Sequence, residues 1–131
     1  MGQRNELKFH RLAGLYGVVR LAQDAAVPDW ATTGDFTSIT RTGEELSVVC
    51  PTDNIPPDVQ FSNRWVCLKL DDPFPLSQTG VLLSFIEPLS ENGVPIFTVS
   101  TYDTDYVLIE EDRTDFALSL LRQVGHKLIA N

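Results

Sequence analysis

Two carboxylates one residue apart, Asp103 and Asp105, close the run Ser100-Thr-Tyr-Asp-Thr-Asp105. If that segment is extended, alternation puts both on one side of the chain. Two unpaired carboxylates held together repel unless a cation or an ammonium group lies between them. Upstream, Gly80 precedes a helical pattern, and a helix start offers backbone N–H groups and a positive dipole end to an anion. Gly80 lets such a ligand approach closely, with the amides from Gln78 and Thr79 through Val81 and Leu82 as donors, while Thr101 and Gln78 add neutral hydrogen bonds. An acidic pair facing an amide-rich helix mouth suits a zwitterion. The plain alternatives are that Gly80 serves packing and that 101–105 is a turn whose Asp and Thr side chains bond their own backbone.

Other chemistry finds less support. Asp71, Asp72, Asp103 and Asp105 could offer oxygens to Mg²⁺ or Ca²⁺, but no twelve-residue calcium loop is present, so no metal is expected. There is no Gly-rich phosphate loop, nucleophile elbow or His-Glu-x-x-His pair, and neither His10 nor His126 has a nucleophile beside it in sequence. The expectation is a protein without catalytic residues and without a cofactor. Cys50 and Cys67 are too few for a disulfide framework and lie in apolar runs, where a thiol behaves as a small hydrophobe.

These groups need elements to position them. The 131 residues carry 10 basic and 18 acidic side chains, net −8, which argues against a nucleic-acid partner and against an anionic membrane surface. No signal peptide is visible, and no apolar run approaches the ~20 residues of a membrane span, so a soluble, cytoplasmic protein is expected. Strands are expected over 16–21, 36–42, 46–50, 64–70, 96–101, 106–109 and 127–129, with one helical turn at 28–31. Leu82, Phe85, Ile86 and Leu89 recur at helical spacing within 79–92, ending at Gly93. Pro88 should bend that helix, with its open side expected toward solvent. A second helix is expected from an Asp112 N-cap, with Phe116, Ala117, Leu120, Leu121 and Val124 as its apolar face.

The order strand, helix, strand, strand, helix, strand in the second half is the split β-α-β plan. The fold class expected is α+β: two ferredoxin-like βαββαβ units, the first abbreviated, with antiparallel sheets and helices on one face. Pro56-Pro57 places the boundary near residue 60, giving units 1–60 and 61–131.

Gly80-Val-Leu-Leu, Pro88-Leu89, Gly93-Val-Pro-Ile-Phe97 and Ser100-Thr-Tyr-Asp-Thr-Asp-Tyr-Val107 resemble the small bacterial ACT-domain proteins related to the regulatory part of aspartate kinase, and the ACT domains of CASTOR-type arginine sensors. Val27-Pro-Asp-Trp30, Phe36-Thr-Ser-Ile-Thr-Arg-Thr42 and Glu45-Leu-Ser-Val-Val-Cys50 extend the resemblance over nearly the whole chain. It implies tandem ACT-like units that bind a small effector, commonly an amino acid, and associate as a homodimer or with a partner protein. By that resemblance Gln78, Gly80, Val81, Thr101 and Asp105 are effector-binding positions. One departure is the loop Asp72-Pro73 to Thr79, longer than the common Asp-x-Pro-Gly signature. The rival expectation is an ACT-like assembly module that binds no ligand.

Overall fold

The computed structural model describes residues 6–71 and 80–129. The order is β1 (Lys8–Arg11), β2 (Tyr16–Leu21), β3 (Ser38–Arg41), β4 (Leu46–Pro51), β5 (Trp65–Leu70), α1 (Val81–Glu91), β6 (Ile96–Ser100), β7 (Asp105–Glu110), α2 (Thr114–Gln123) and β8 (Lys127–Leu128). The fold is α+β, mostly antiparallel, with few helices. The chain forms two compact units: Ala13–Trp65, and the described parts of 1–12 and 66–131 together. None of the described helices is long and apolar enough to cross a membrane.

In the Ala13–Trp65 unit, β4 pairs antiparallel with β2 from Tyr16↔Pro51 to Leu21↔Leu46, and with β3 from Ser38↔Val49 to Arg41↔Leu46. The turn into β4 is closed by Thr42, whose N–H donates to the Glu45 carbonyl at 2.9 Å and whose hydroxyl accepts from the Glu44 and Glu45 amides, each at 3.1 Å. Val19, Ala31, Leu46, Val48, Cys50 and Ile55 form the core, with Trp30, Val59 and Phe61 packed against it. The turn at 28–31 is a single 3₁₀ turn, Asp29–Ala31, with Pro28 just ahead of it. There the fixed φ of proline suits the entry and its missing N–H costs nothing.

In the other unit β6 pairs antiparallel with β7, β7 with β5, and β5 antiparallel with β1. β8 runs parallel to β1, so the sheet order is β6-β7-β5-β1-β8. Thus β1, a strand absent from the sequence reading, separates β5 from β8. Val66, Cys67, Leu68 and Leu70 on β5 are all fully buried, as expected of a central strand covered on both faces.

Both helices depart from the sequence expectation in an informative way. On α1 the buried residues are Val81, Phe85, Pro88 and Leu89, so Pro88 faces the core rather than water. Lacking an N–H, it cannot bond the Ser84 carbonyl one turn back. That carbonyl instead accepts from Nε2–H of His126 at 3.1 Å, and Nδ1 of the same ring accepts the Leu7 N–H at 3.0 Å. The gap that Pro88 leaves in the helix ladder is therefore filled by a buried imidazole. His126 reaches this place through the end of α2, where Gly125 (φ +99°) turns the chain and the His126 N–H returns to the Leu121 carbonyl at 3.0 Å. On α2 the buried face is Thr114, Ala117, Leu118, Leu120 and Leu121, while Phe116 is 45% exposed beneath the Arg113 guanidinium. Asp112 is not the N-cap: it lies in a 3₁₀ turn, Glu111–Arg113, that feeds directly into the helix.

Burial pushes the Cys67 thiol up from its ordinary 9.0 to about 12, and pushes Cys50 upward as well. Both thiols are reduced and buried. Above the ordinary thiol pKa the unfolded chain releases the Cys67 proton while the folded chain keeps it. Stability is therefore fully present below about pH 9 and declines toward pH 12, by about 1.4 kcal/mol per pH unit from Cys67 alone. Denaturant midpoints measured from pH 7 to 11 check this. A Cys67→Ala chain should show a shallower alkaline decline, and an unchanged slope would refute the assignment.

Candidate functional site

The turn from β6 to β7 is built by its own threonines. The Thr101 N–H donates to the Thr104 carbonyl at 2.8 Å, the Thr101 hydroxyl donates to the same oxygen at 3.0 Å, and the Thr104 N–H returns to the Thr101 hydroxyl at 3.3 Å. These bonds make the tight turn expected of Asp/Thr-rich segments. Thr104 is 6% exposed, and its hydroxyl donates to the Leu70 carbonyl at 3.0 Å. The turn is thereby pinned to the last residue of β5, the strand whose continuation leads to α1.

The two carboxylates do not share an extended segment: Asp103 lies in the bend and Asp105 opens β7. Asp103 is exposed and Asp105 half-buried. Asp105 is not free: the Ser100 hydroxyl donates to its Oδ1 across the first pair of the β6–β7 ladder. Tyr106 follows on β7, where burial raises its phenol pKa, with smaller contributions from the neighbouring Cys67 and Asp103. Tyr102, at the tip, is 84% exposed.

Gly80 caps α1 in the left-handed conformation, φ +81°, with no side-chain cap. A Cβ on Gly80 would meet nothing within 4 Å among the described residues, and its left-handed backbone angle is what calls for glycine there. The helix begins with the Ser84 N–H bonding the Gly80 carbonyl at 3.0 Å. The N–H groups of Val81, Leu82 and Leu83 then have no acceptor within the helix. The Val81 side chain is 3% exposed and belongs to the core, so only its backbone can serve a ligand.

Of the expected site residues, the structure gathers Thr101, Asp103 and Asp105 on one turn and sets Gly80 and Val81 at the helix start. Gln78 and Thr79, with Asp72 and the rest of the lengthened loop, lie outside the described residues. Among the described residues no hydrogen bond or ion pair joins the helix start to the acidic turn. Nor does any group of three or more His, Cys, Asp or Glu there have a metal-binding arrangement. Sequence reasoning missed the His10–Asp71 pair, Nε2 to Oδ1 at 3.1 Å, which sits where β1 meets the end of β5. Its signal, a His in a four-residue strand holding one large apolar side chain, was too weak to find.

Comparison with known proteins gives this arrangement a class. Residues 60–123 match the model of the ACT domain, and residues 14–58 match a separate N-terminal-domain model. The chain is an ACT-domain protein, and it belongs to one family with protein Atu0741 from Agrobacterium tumefaciens. That crystal structure is 44% identical to this chain, with a TM-score of 0.90, covering 97% of this chain and 95% of its own. A Vibrio cholerae protein, VC0802, described as of unknown function and a possible transport protein, shares the fold at 18% identity. Its TM-score is 0.75, with 90% of this chain and 89% of its own covered. An ACT domain speaks for a small-molecule-binding regulatory role.

Proposed function

We propose that the protein reversibly binds an amino acid at the α1 start and acts through association with itself, as a homodimer, or with a partner protein in the cytoplasm. It is not an enzyme. The effector's carboxylate lies on the backbone N–H groups that follow Gly80, with Val81 contributing its amide. Its ammonium lies on Asp103 and Asp105, and Gln78, Thr79 and Thr101 complete the hydrogen bonding. The observation that carries this reading is the Thr104–Leu70 bond, which ties the acidic turn to the strand leading into the helix start. The kinship with aspartate-kinase-type and CASTOR-type ACT domains belongs to the same reading. So does the division into an abbreviated ACT-like unit, 1–60, and an ACT domain, 61–131. In the first part, the three-stranded antiparallel arrangement β3-β4-β2 with 3₁₀ turns where longer helices would stand supports it.

A thermal-shift screen of the full chain against the twenty amino acids tests the proposal. A true effector at a hundred times its dissociation constant adds about 2.7 kcal/mol, a rise of about 10 °C for a chain of this size. Asp105→Ala should abolish that rise while leaving the unliganded melting temperature within a few degrees. A rise that survives the substitution clears Asp105 of any role. The assembly-module reading draws support from two features: the Ser100–Asp105 bond already engages one carboxylate, and Tyr102 is exposed at the turn's tip. A screen with no shift in any amino acid decides for it.

A further inference from the structure

The Ala13–Trp65 unit carries an open groove of its own. β2 is paired along its whole length with β4, but on its other side its ladder with β5 is the single pair Tyr16↔Trp65. Residues 59–64 form no strand, so beyond that pair β2 and this segment part and leave an open groove of about 680 Å³. Val18, Val59 and Phe61 give it an apolar lining, Gln60 and Ser62 neutral polar groups, and Arg20 and Arg64 two guanidinium groups. Phe61 is seated there because β2 carries Gly17: a Cβ at that position would stand 3.1 Å from the Phe61 ring and 2.8 Å from Ile55.

The charges decide what fits. In a chain of net −8, the groove lining holds two cations and no carboxylate. Arg64 stacks over the Phe61 ring at 5.4 Å and makes no ion pair or hydrogen bond among the described residues, so its planar donor fork is available. Arg20 is partly engaged: Nη2 donates to the Glu44 carbonyl at 3.1 Å, and Nε stands 4.0 Å from the Glu45 carboxylate. A guanidinium fork matches a carboxylate with two parallel hydrogen bonds, and the apolar lining rewards a ligand that brings hydrocarbon or aromatic surface with it. The geometry points to a site for a small organic carboxylate with an apolar body, anchored by Arg64 and assisted by Arg20. This site is independent of the helix-start site.

Isothermal titration of the full chain with 3-phenylpropionate, its neutral amide and inorganic phosphate tests it. The carboxylate should bind saturably, and the amide and phosphate at least tenfold more weakly, one lacking the charge and the other the apolar body. Arg64→Gln should weaken the carboxylate tenfold or more with the circular dichroism spectrum unchanged, and Arg64→Lys less, because an ammonium keeps the charge but not the fork. Arg20→Gln should cost less than Arg64→Gln. Asp105→Ala should leave this binding unaltered, which separates the two sites. No heat up to about 10 mM carboxylate, equal binding of the amide or of phosphate, or undiminished binding to the Arg64→Gln chain would each overturn the assignment.

Discussion

His126→Ala is expected to lower stability by about 3–4 kcal/mol, a large share of what a domain of this size possesses. The imidazole is 2% exposed, packs on Phe85 with ring centroids 5.2 Å apart, and serves two backbone groups. One is the Leu7 N–H, leading into β1. The other is the Ser84 carbonyl orphaned by Pro88. The coupling to Pro88 gives the prediction its specificity. In a Pro88→Ala chain residue 88 regains an N–H able to bond Ser84, so the histidine's role on α1 becomes redundant. Urea denaturation of the two single variants and the double variant should show the double less destabilised than the sum by about 1 kcal/mol. Strict additivity would refute the view that His126 compensates for the proline.

Phe9→Ala is expected to cost about 3–5 kcal/mol, as much as truncating an aromatic in the middle of a long core helix. Phe9 stands in a strand of four residues, yet it is fully buried, meets Phe85 edge-on at 5.1 Å between ring centroids, and pairs with Leu70 on one side and Leu128 on the other. Its loss removes the one large side chain by which β1 holds its place between β5 and β8. Guanidinium denaturation of the variant reads the cost directly. A change below about 1 kcal/mol would mean that β1 is an accessory to the sheet and not part of its core.

Much of this was legible because the signals are local. β2 follows its expected bounds, α1 ends where Gly93 stops it, and the turn before β4 closes as Thr42-Gly-Glu-Glu45 implies. The ACT-domain reading rested on short runs in the second half, and the family match spans 60–123. What was missed depends on partners distant in sequence. β1 has the composition of a polar chain start, and only its register with β5 and β8 makes it a strand. The role of His126 is invisible in sequence because its donor partner, the Leu7 N–H, and its acceptor partner, the Ser84 carbonyl, lie 119 and 42 residues away. The expectation of an open side toward solvent at Pro88 fails because helical periodicity cannot foresee an imidazole arriving from another element. Phe116 was placed in the α2 face by its type, yet Thr114 and Leu118 are buried there while Phe116 lies under Arg113. At the site, the residue types on the acidic turn were legible, but the Ser100 hydroxyl that engages Asp105 was not.

The insertion of β1 between β5 and β8 also bears on how the chain matures during synthesis. Translation delivers residues 8–11 well before their neighbours in the sheet, 68–70 and 127–128. At about 5–20 residues per second the early segment waits several seconds for a place to go, while Ala13–Trp65 has all its own strands in hand and can condense beforehand. The nascent chain therefore carries a short, aromatic-bearing ribbon in reserve until residues 127–128 have been made. Chaperone capture at residues 8–11 should be most frequent in that interval.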